Sequence, residues 1–321
     1  MPEKLQILLR FIAQSEAKVE TMPKRGRPYV YPQLNMLLFF VVMQLKGIHR
    51  FKAMAKHIKY RYEWFGFKQA PSRKTIRRRF LDMPGYIRWL LPNIARQLSQ
   101  TDQRFQLRIG YVDKSVFRAL GGIWHKKHRL LGIVPHPSID TDASWAKSAY
   151  HGWRFGYGLH LIVNELRFPL AAMVTTASAP DKHQLWPLLN GLLPQMHLIV
   201  GDAGYRAART IQQLWTSLEV FVLTCKPFEV LSKFKSWYNV WLQKSEANII
   251  YRRRKPSVEP AFALIKELFD LKGESQLPYQ GLPKVRAYLL LCVATLQLMM
   301  TFNLIFDNKI GESEHFLALT L

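Results

Sequence analysis

HLIVGDAGY, residues 197–205, is a short apolar run that stops on Gly201 and Asp202. Such a run, closed by glycine, predicts a strand whose end carries a carboxylate. Outward from it the texture repeats. Residues 106–112 (QLRIGYV) alternate and end at Asp113, and 157–164 (YGLHLIVN) and 170–176 (LAAMVTT) are β-rich runs separated by a turn at Glu165-Leu166-Arg167. Residues 181–193 and 206–215 have helical patterns, and 220–224 is one more strand. Three strands, then helix, strand, helix and strand predict a mixed α/β sheet with flanking helices. Residues 226–250 are less regular and aromatic, and 256–271 return to a helical pattern with Pro256 near its start.

Upstream of a polar hinge at 99–104 the chain reads as helices: 4–17, an apolar 34–45 closed by Lys46-Gly47, 50–60, and a basic run from Pro71 to Phe80. Residues 22–31 (MPKRGRPYVY) read as a linker or arm. Ser72 is a natural N-cap, and Arg73/Arg77 and Lys74/Arg78 are i,i+4 pairs that stack positive charge on neighbouring faces. That repulsion is relieved by a polyanion, so this is a candidate recognition helix of a helix-turn-helix unit; the alternative is a solvated basic face. The expected division is a helical DNA-binding region at 1–100 and an α/β domain at 101–321, with an insertion near 226–250 and an apolar final helix. No internal repeat is present.

The charge supports a nucleic-acid partner. Lys+Arg 46 against Asp+Glu 22 gives a formal net charge of +24, a field that draws polyanions. About twenty of these cations, against about five acids, lie in residues 1–100. With 49% hydrophobic and 21% charged residues, disorder of the whole chain is excluded. Two cysteines, Cys225 and Cys292, supply neither a disulfide framework nor a zinc knuckle, which fits a reducing cytoplasm. No signal-peptide pattern opens the sequence. Residues 287–306 are apolar and long enough to span a bilayer, but Gln297 and Asn303 within them favour a buried helix over a membrane partner.

Three carboxylates stand where chemistry can use them: Asp113 and Asp202 at predicted strand ends, and Glu259 in the first turn of the helix near Pro256. Hard divalent cations take oxygen ligands, and a pair of Mg²⁺ ions about 4 Å apart clamps both oxygens of an in-line phosphoryl displacement. Taken singly, each is more often a turn former or cap.

Gly201-Asp202-Ala203-Gly204-Tyr205 resembles the Asp-x-Gly-Tyr motif around the second aspartate of the DDE transposases of bacterial insertion sequences. Tyr111-Val112-Asp113-Lys114-Ser115 resembles the first motif, and Arg254-Lys255-Pro256-Ser257-Val258-Glu259-Pro260-Ala261-Phe262 the third. Lys266, seven residues after Glu259, His160, Pro180-Asp181-Lys182-His183 and Pro71-Ser72-Arg73-Lys74-Thr75 are similar to the subgroup with a Tyr-Arg-Glu-Lys signature. Lys255 stands at that signature's arginine position and Arg252 at its tyrosine position, with Tyr251 displaced by one; Lys114 replaces a small residue. The resemblance implies a ribonuclease H-like core and catalytic, metal-holding Asp113, Asp202 and Glu259 with two Mg²⁺ (Mn²⁺ substituting). It also implies element ends and target DNA as partners, a homodimer in the DNA complex, and a bacterial, nucleoid-associated location.

Arg252, Arg253, Arg254 and Lys255 form a point-charge cluster for the DNA backbone, beside the bland reading of a solvated face. Lys266 suits either a phosphate or solvent. Trp237 and Trp241 suit packing or, as base-stacking candidates, an unpaired base at an element end. His125, His128, His136 and His151 lack zinc spacing, and His160 and His183 read as structural. Rival functions are a repurposed, catalytically silent DNA-binding protein, a membrane-associated basic protein, and a metal-dependent nuclease without strand transfer.

Overall fold

The computed structural model describes residues 1–17, 30–148, 152–193, 195–229 and 232–320. Most of the arm read at 22–31, and His151, lie outside the described residues. In chain order the elements are α1 (Glu3–Ala17), α2 (Gln33–Leu45), α3 (Phe51–Ile58), α4 (Arg73–Thr101), β1 (Ile109–Arg118), α5 (Lys126–Leu130), β2 (Ser144–Ser148), β3 (Gly152–Val163), β4 (Pro169–Thr176), α6 (Leu185–Leu189), β5 (Leu198–Val200), α7 (Ala208–Leu218), β6 (Phe221–Leu223), α8 (Lys233–Leu242), α9 (Ser245–Arg252), α10 (Arg254–Leu268), α11 (Leu282–Ile305) and α12 (Glu314–Thr320).

The sheet is mixed. β3 is its long member: β1 pairs antiparallel along one side, while β2 and β4 share the other. β5 and β6 then add parallel to β1, giving the path β2-β3-β1-β5-β6 with β4 on β3. An antiparallel meander extended by two parallel strands, with helices around it, is the ribonuclease H-like arrangement anticipated from the sequence. β2, too short to announce itself, was not anticipated. Gly156 sits where three strands meet, opposite both Arg118 and Ser144; a Cβ there would lie 1.9 Å from the Phe117 carbonyl oxygen, so only glycine lets the strands close.

α4 runs 29 residues, from the basic segment to Thr101 within the predicted hinge, although Pro84 and Pro92 lie inside it. An internal proline costs about 3 kcal/mol and usually ends a helix. Here Ile76, Phe80, Met83, Ile87, Leu91, Ile94 and Leu98 stay buried at three- and four-residue spacing through both prolines, and burial of that stripe outweighs the two lost hydrogen bonds. Ser72 caps the helix, its hydroxyl accepting from the Thr75 N–H at 3.2 Å.

α11 is long and apolar enough to cross a membrane by length and composition, yet it is buried along nearly its whole length inside the protein. It packs against α4 and β4, so the N-terminal helices and the sheet share one hydrophobic core. Its polar residues are the fasteners. Gln297 donates to the carbonyls of Leu91 at 2.8 Å and Pro169 at 2.7 Å, tying α4, α11 and β4 together.

Candidate active site

Register brings the aspartates together. β1 and β5 are parallel, with Tyr111 opposite Val200. Asp113 and Asp202 each follow that last pair by two residues. Side chains two apart share a face, and neighbouring strands lie about 4.8 Å apart, so the two carboxylates emerge side by side. The sequence placed Asp113 just past its strand; it lies instead within β1, which continues to Arg118 because it pairs with β3 over its whole length. Asp202 caps the short 3₁₀ turn Ala203–Tyr205, its Oδ1 accepting from Gly204 N–H at 2.9 Å.

A third aspartate joins them. Asp181 opens the 3₁₀ turn before α6 and forms an ion pair with Lys114 at 2.5 Å. A Cβ on Gly204 would stand 2.7 Å from Asp181 Oδ2 and 3.0 Å from Asp202 Oδ1, so glycine at 204 is what allows both acids to approach one backbone. Beneath them lies Tyr205, buried, whose hydroxyl is pushed well above its usual range by burial and then by Asp181, Asp113 and Asp202. Asp181 was quoted in the sequence as part of a motif but not assigned to the site. Its pairing with Lys114 is a contact across 67 positions that no local spacing reveals.

Two cations answer the acids. Arg254 Nη1 donates to Asp113 Oδ2 at 2.6 Å, and Lys114 holds Asp181. Burial nonetheless raises the Asp113 carboxyl above its ordinary range and Asp202 adds to that, with Arg254 and the Lys114 N–H opposing. Burial raises Asp181 too, against the pull of Lys114. Arg254 is therefore not part of the exposed basic run. It begins α10 and turns inward, while Arg252 and Lys255 are exposed and the exposed Arg253 pairs with Glu165 at 3.2 Å.

The helical phase of α10 also settles where Glu259 points. Arg254, Ser257, Val258, Ala261, Phe262 and Ile265 form its buried face. Glu259, five residues on from Arg254, is rotated by about 140° and is exposed. Lys266 lies farther along, its Nζ 5.7 Å from the Phe117 ring centroid, where burial lowers its pKa. Asp113 and Asp202 thus stand together, and Glu259 and Lys266 stand apart from them. Among the described residues no group of three or more His, Cys, Asp or Glu side chains is placed to hold a metal ion. The oxygen donors of Asp113 and Asp202 do suit a hard cation, and no hydrogen bond from the described protein engages Asp202 Oδ2.

Trp237 stacks on Trp215 with centroids 5.4 Å apart, and Trp241 meets Phe221 at 4.2 Å. The predicted insertion is thus two helices, α8 and α9, with the rings of α8 packed on α7 and β6. Arg73, Lys74, Arg77 and Arg78 are exposed on the first two turns of α4.

His160 is completely buried on β3, bridging the Tyr205 hydroxyl at 2.9 Å and Thr175 Oγ1 at 3.0 Å. Burial, with a smaller contribution from Lys114, pushes its pKa down to about 3. An unfolded chain takes up a proton at this position below about pH 6.5 and the folded chain does not until about pH 3, so His160 makes stability fall as pH falls through that window. Replacing it by Gln is expected to reduce the slope of unfolding free energy between pH 6 and 4 by about 1.4 kcal/mol per pH unit. Denaturant melts across that range check this, and parallel slopes for both proteins would contradict it.

Residues 106–298, more than half of the chain, match the transposase DDE domain family. A search of curated proteins found no match. Among solved structures the chain is similar to a piggyBac transposase synaptic complex with hairpin DNA, at 9% identity and TM-score 0.43 over 100% of this chain and 77% of that one. A Mos1 transposase paired-end complex with left transposon end matches at 13% identity and TM-score 0.22, over 86% and 90%. With the family match spanning the sheet, both aspartates, α10 and most of α11, the chain belongs to the DDE transposases.

Proposed function

We propose that the chain is the transposase of a bacterial insertion sequence, cutting the element's ends and joining them to target DNA. The observation that carries this reading is the placement of Asp113 in β1 and Asp202 just past β5, each two residues beyond the last parallel pair, Tyr111 and Val200. These two carboxylates would hold the divalent ions, Mg²⁺ or Mn²⁺; Glu259, exposed on α10 and not grouped with them here, would have to turn toward them to serve as the third ligand. When bound, such ions supply Lewis-acid stabilisation of the charge that develops on the phosphoryl oxygens.

The reaction needs no protein nucleophile. Water attacks phosphorus at the element end, the 3′ oxygen leaves and takes up a proton, and the freed 3′-OH attacks a target phosphodiester with loss of the opposite 3′ oxygen. The residues of this chain set the stage. Tyr205 and His160 make a dry, hydrogen-bonded support beneath the acids, and Gly204 lets the backbone carry Asp202 past Asp181. Lys114 neutralises Asp181. Arg252, Arg253 and Lys255 offer phosphate contacts beside the site, with Lys266 as a more distant one. In this reading the enzyme acts as a homodimer on two ends, at the nucleoid, with residues 1–100 as its DNA-binding region and 101–321 as its catalytic domain.

One observation favours a second reading, a repurposed DNA-binding protein without cleavage: Arg254 already occupies Asp113 at 2.6 Å. The two are separated by incubating the protein with Mg²⁺ and a labelled duplex carrying the repeat that flanks its gene. Joined product supports the transposase. Nicks without joining indicate a nuclease, and tight binding with no cut in Mg²⁺ or Mn²⁺ indicates the silent binder.

A further inference from the structure

Far along the sequence from the aspartates, three helices begin around one groove of about 390 Å³. Its walls are Arg50 and Lys52 at the start of α3, Arg73 and Arg77 at the start of α4, and Lys284 in the first turn of α11. Its floor is aromatic, with Phe51 stacked on Tyr279 at 6.0 Å. No Asp or Glu lines the groove, and none of the five cations has an ion-pair partner among the described residues. α3 lacks a side-chain cap, so the positive end of its dipole adds to the same field; the first N–H groups of α11 are instead taken by Asp140 and Asp142, which accept from Gly281 and Leu282 at 2.9 Å. Five like charges converge here without an ion-pair partner among the described residues, and a polyanion supplies that compensation.

The phase of α4 sorts its own charges. Arg73 and Arg77 line the groove; Lys74 and Arg78, on the neighbouring ridge, do not. The cations come from three elements belonging to both halves of the chain, around an open channel with an apolar floor. That layout suits an extended phosphodiester strand, with sugars lying on Phe51 and Tyr279 and phosphates flanked by guanidinium and ammonium groups.

We infer that this groove binds the DNA phosphodiester backbone, so that Arg73 and Arg77 grip phosphates and base reading falls to other residues. This rests on the DNA-binding reading above and goes beyond it by assigning Arg50, Lys52 and Lys284 to the interface. It also makes the first turn of α11 part of the DNA-binding surface.

The test is the salt dependence of binding, measured on two probes of about 30 bp: one duplex of arbitrary sequence and one selected on the wild-type protein from a random pool. Each phosphate contact contributes about 0.9 to the slope of log K against log salt. Arg77→Gln and Lys284→Gln are each expected to lower that slope by about 0.9 on both duplexes, and the double variant by about 1.8. Arg10→Gln, which removes one exposed charge from α1 outside the groove, should leave it unchanged. All three substituted positions lie at the surface or partly so, and matching thermal melts confirm intact folds. If the wild type binds and Arg77→Gln and Lys284→Gln keep its slope, the groove assignment is wrong. A loss by Arg77→Gln confined to the selected duplex would equally overturn it, by making Arg77 a base reader. If the wild type binds neither duplex, the DNA-binding reading itself falls, an outcome distinct from the other two.

Discussion

Asp202→Asn is expected to lower nicking and joining by at least about 10³-fold while DNA affinity stays within about twofold of wild type. The substitution is nearly isosteric. An amide oxygen still accepts from Gly204 N–H, so the 3₁₀ turn and its cap are retained. What changes is the charge: one of two paired oxygen ligands loses its anionic character, and a hard cation is held far less well. In the proposed reading DNA affinity rests on exposed cations elsewhere and is not expected to follow. Asp113→Asn should give the same loss of chemistry, with one difference. It also removes the anionic partner of Arg254, whose side chain is only 10% exposed, so this variant should melt earlier than Asp202→Asn. Gel-shift and product assays on one protein preparation check both parts. Wild-type cleavage by Asp202→Asn would remove that residue from the chemistry.

Gln297→Leu is expected to have the largest effect on stability. The Gln297 amide is buried and serves two carbonyls at once, those of Leu91 on α4 and Pro169 on β4. Leucine fills nearly the same space but donates nothing, leaving two buried acceptors short of a partner at about 1–2 kcal/mol each. A loss of about 2–4 kcal/mol should appear as a melting temperature lower by roughly 3–6 °C. An unchanged melt would mean that the carbonyls find other donors and that α11 is held by packing alone.

The sheet and its two aspartates were legible because the information is local. A short apolar run closed by Gly201-Asp202 can do little but form a strand end, and parallel register then carries Asp113 alongside. What the sequence hid depends on phase and long-range contact. The basic run read only from Pro71 to Phe80, although the buried stripe of α4 continues unbroken from Ile76 to Leu98 and the helix ends at Thr101, inside the polar stretch 99–104. The run Arg252 to Lys255 read as one patch of charge, but helical phase turns Arg254 inward and leaves Arg252 and Lys255 outside. The same rotation leaves Glu259 on the exposed side of α10. Asp181 enters the site only because Lys114, on the opposite face of β1 from Asp113, reaches across to it. The apolar 287–306 segment had membrane length, and its Gln297, odd in a bilayer, proved to be the tie between two helices and a strand.

The central claim is that Asp113 and Asp202 form one cation site, and Mn²⁺ binding tests it without relying on turnover. Electron paramagnetic resonance titration of the protein on a duplex of about 30 bp should show bound Mn²⁺ that weakens by at least about tenfold in Asp113→Asn and, separately, in Asp202→Asn. Mn²⁺ bound equally well by wild type and both variants would contradict the claim and place the metal, and the chemistry, elsewhere.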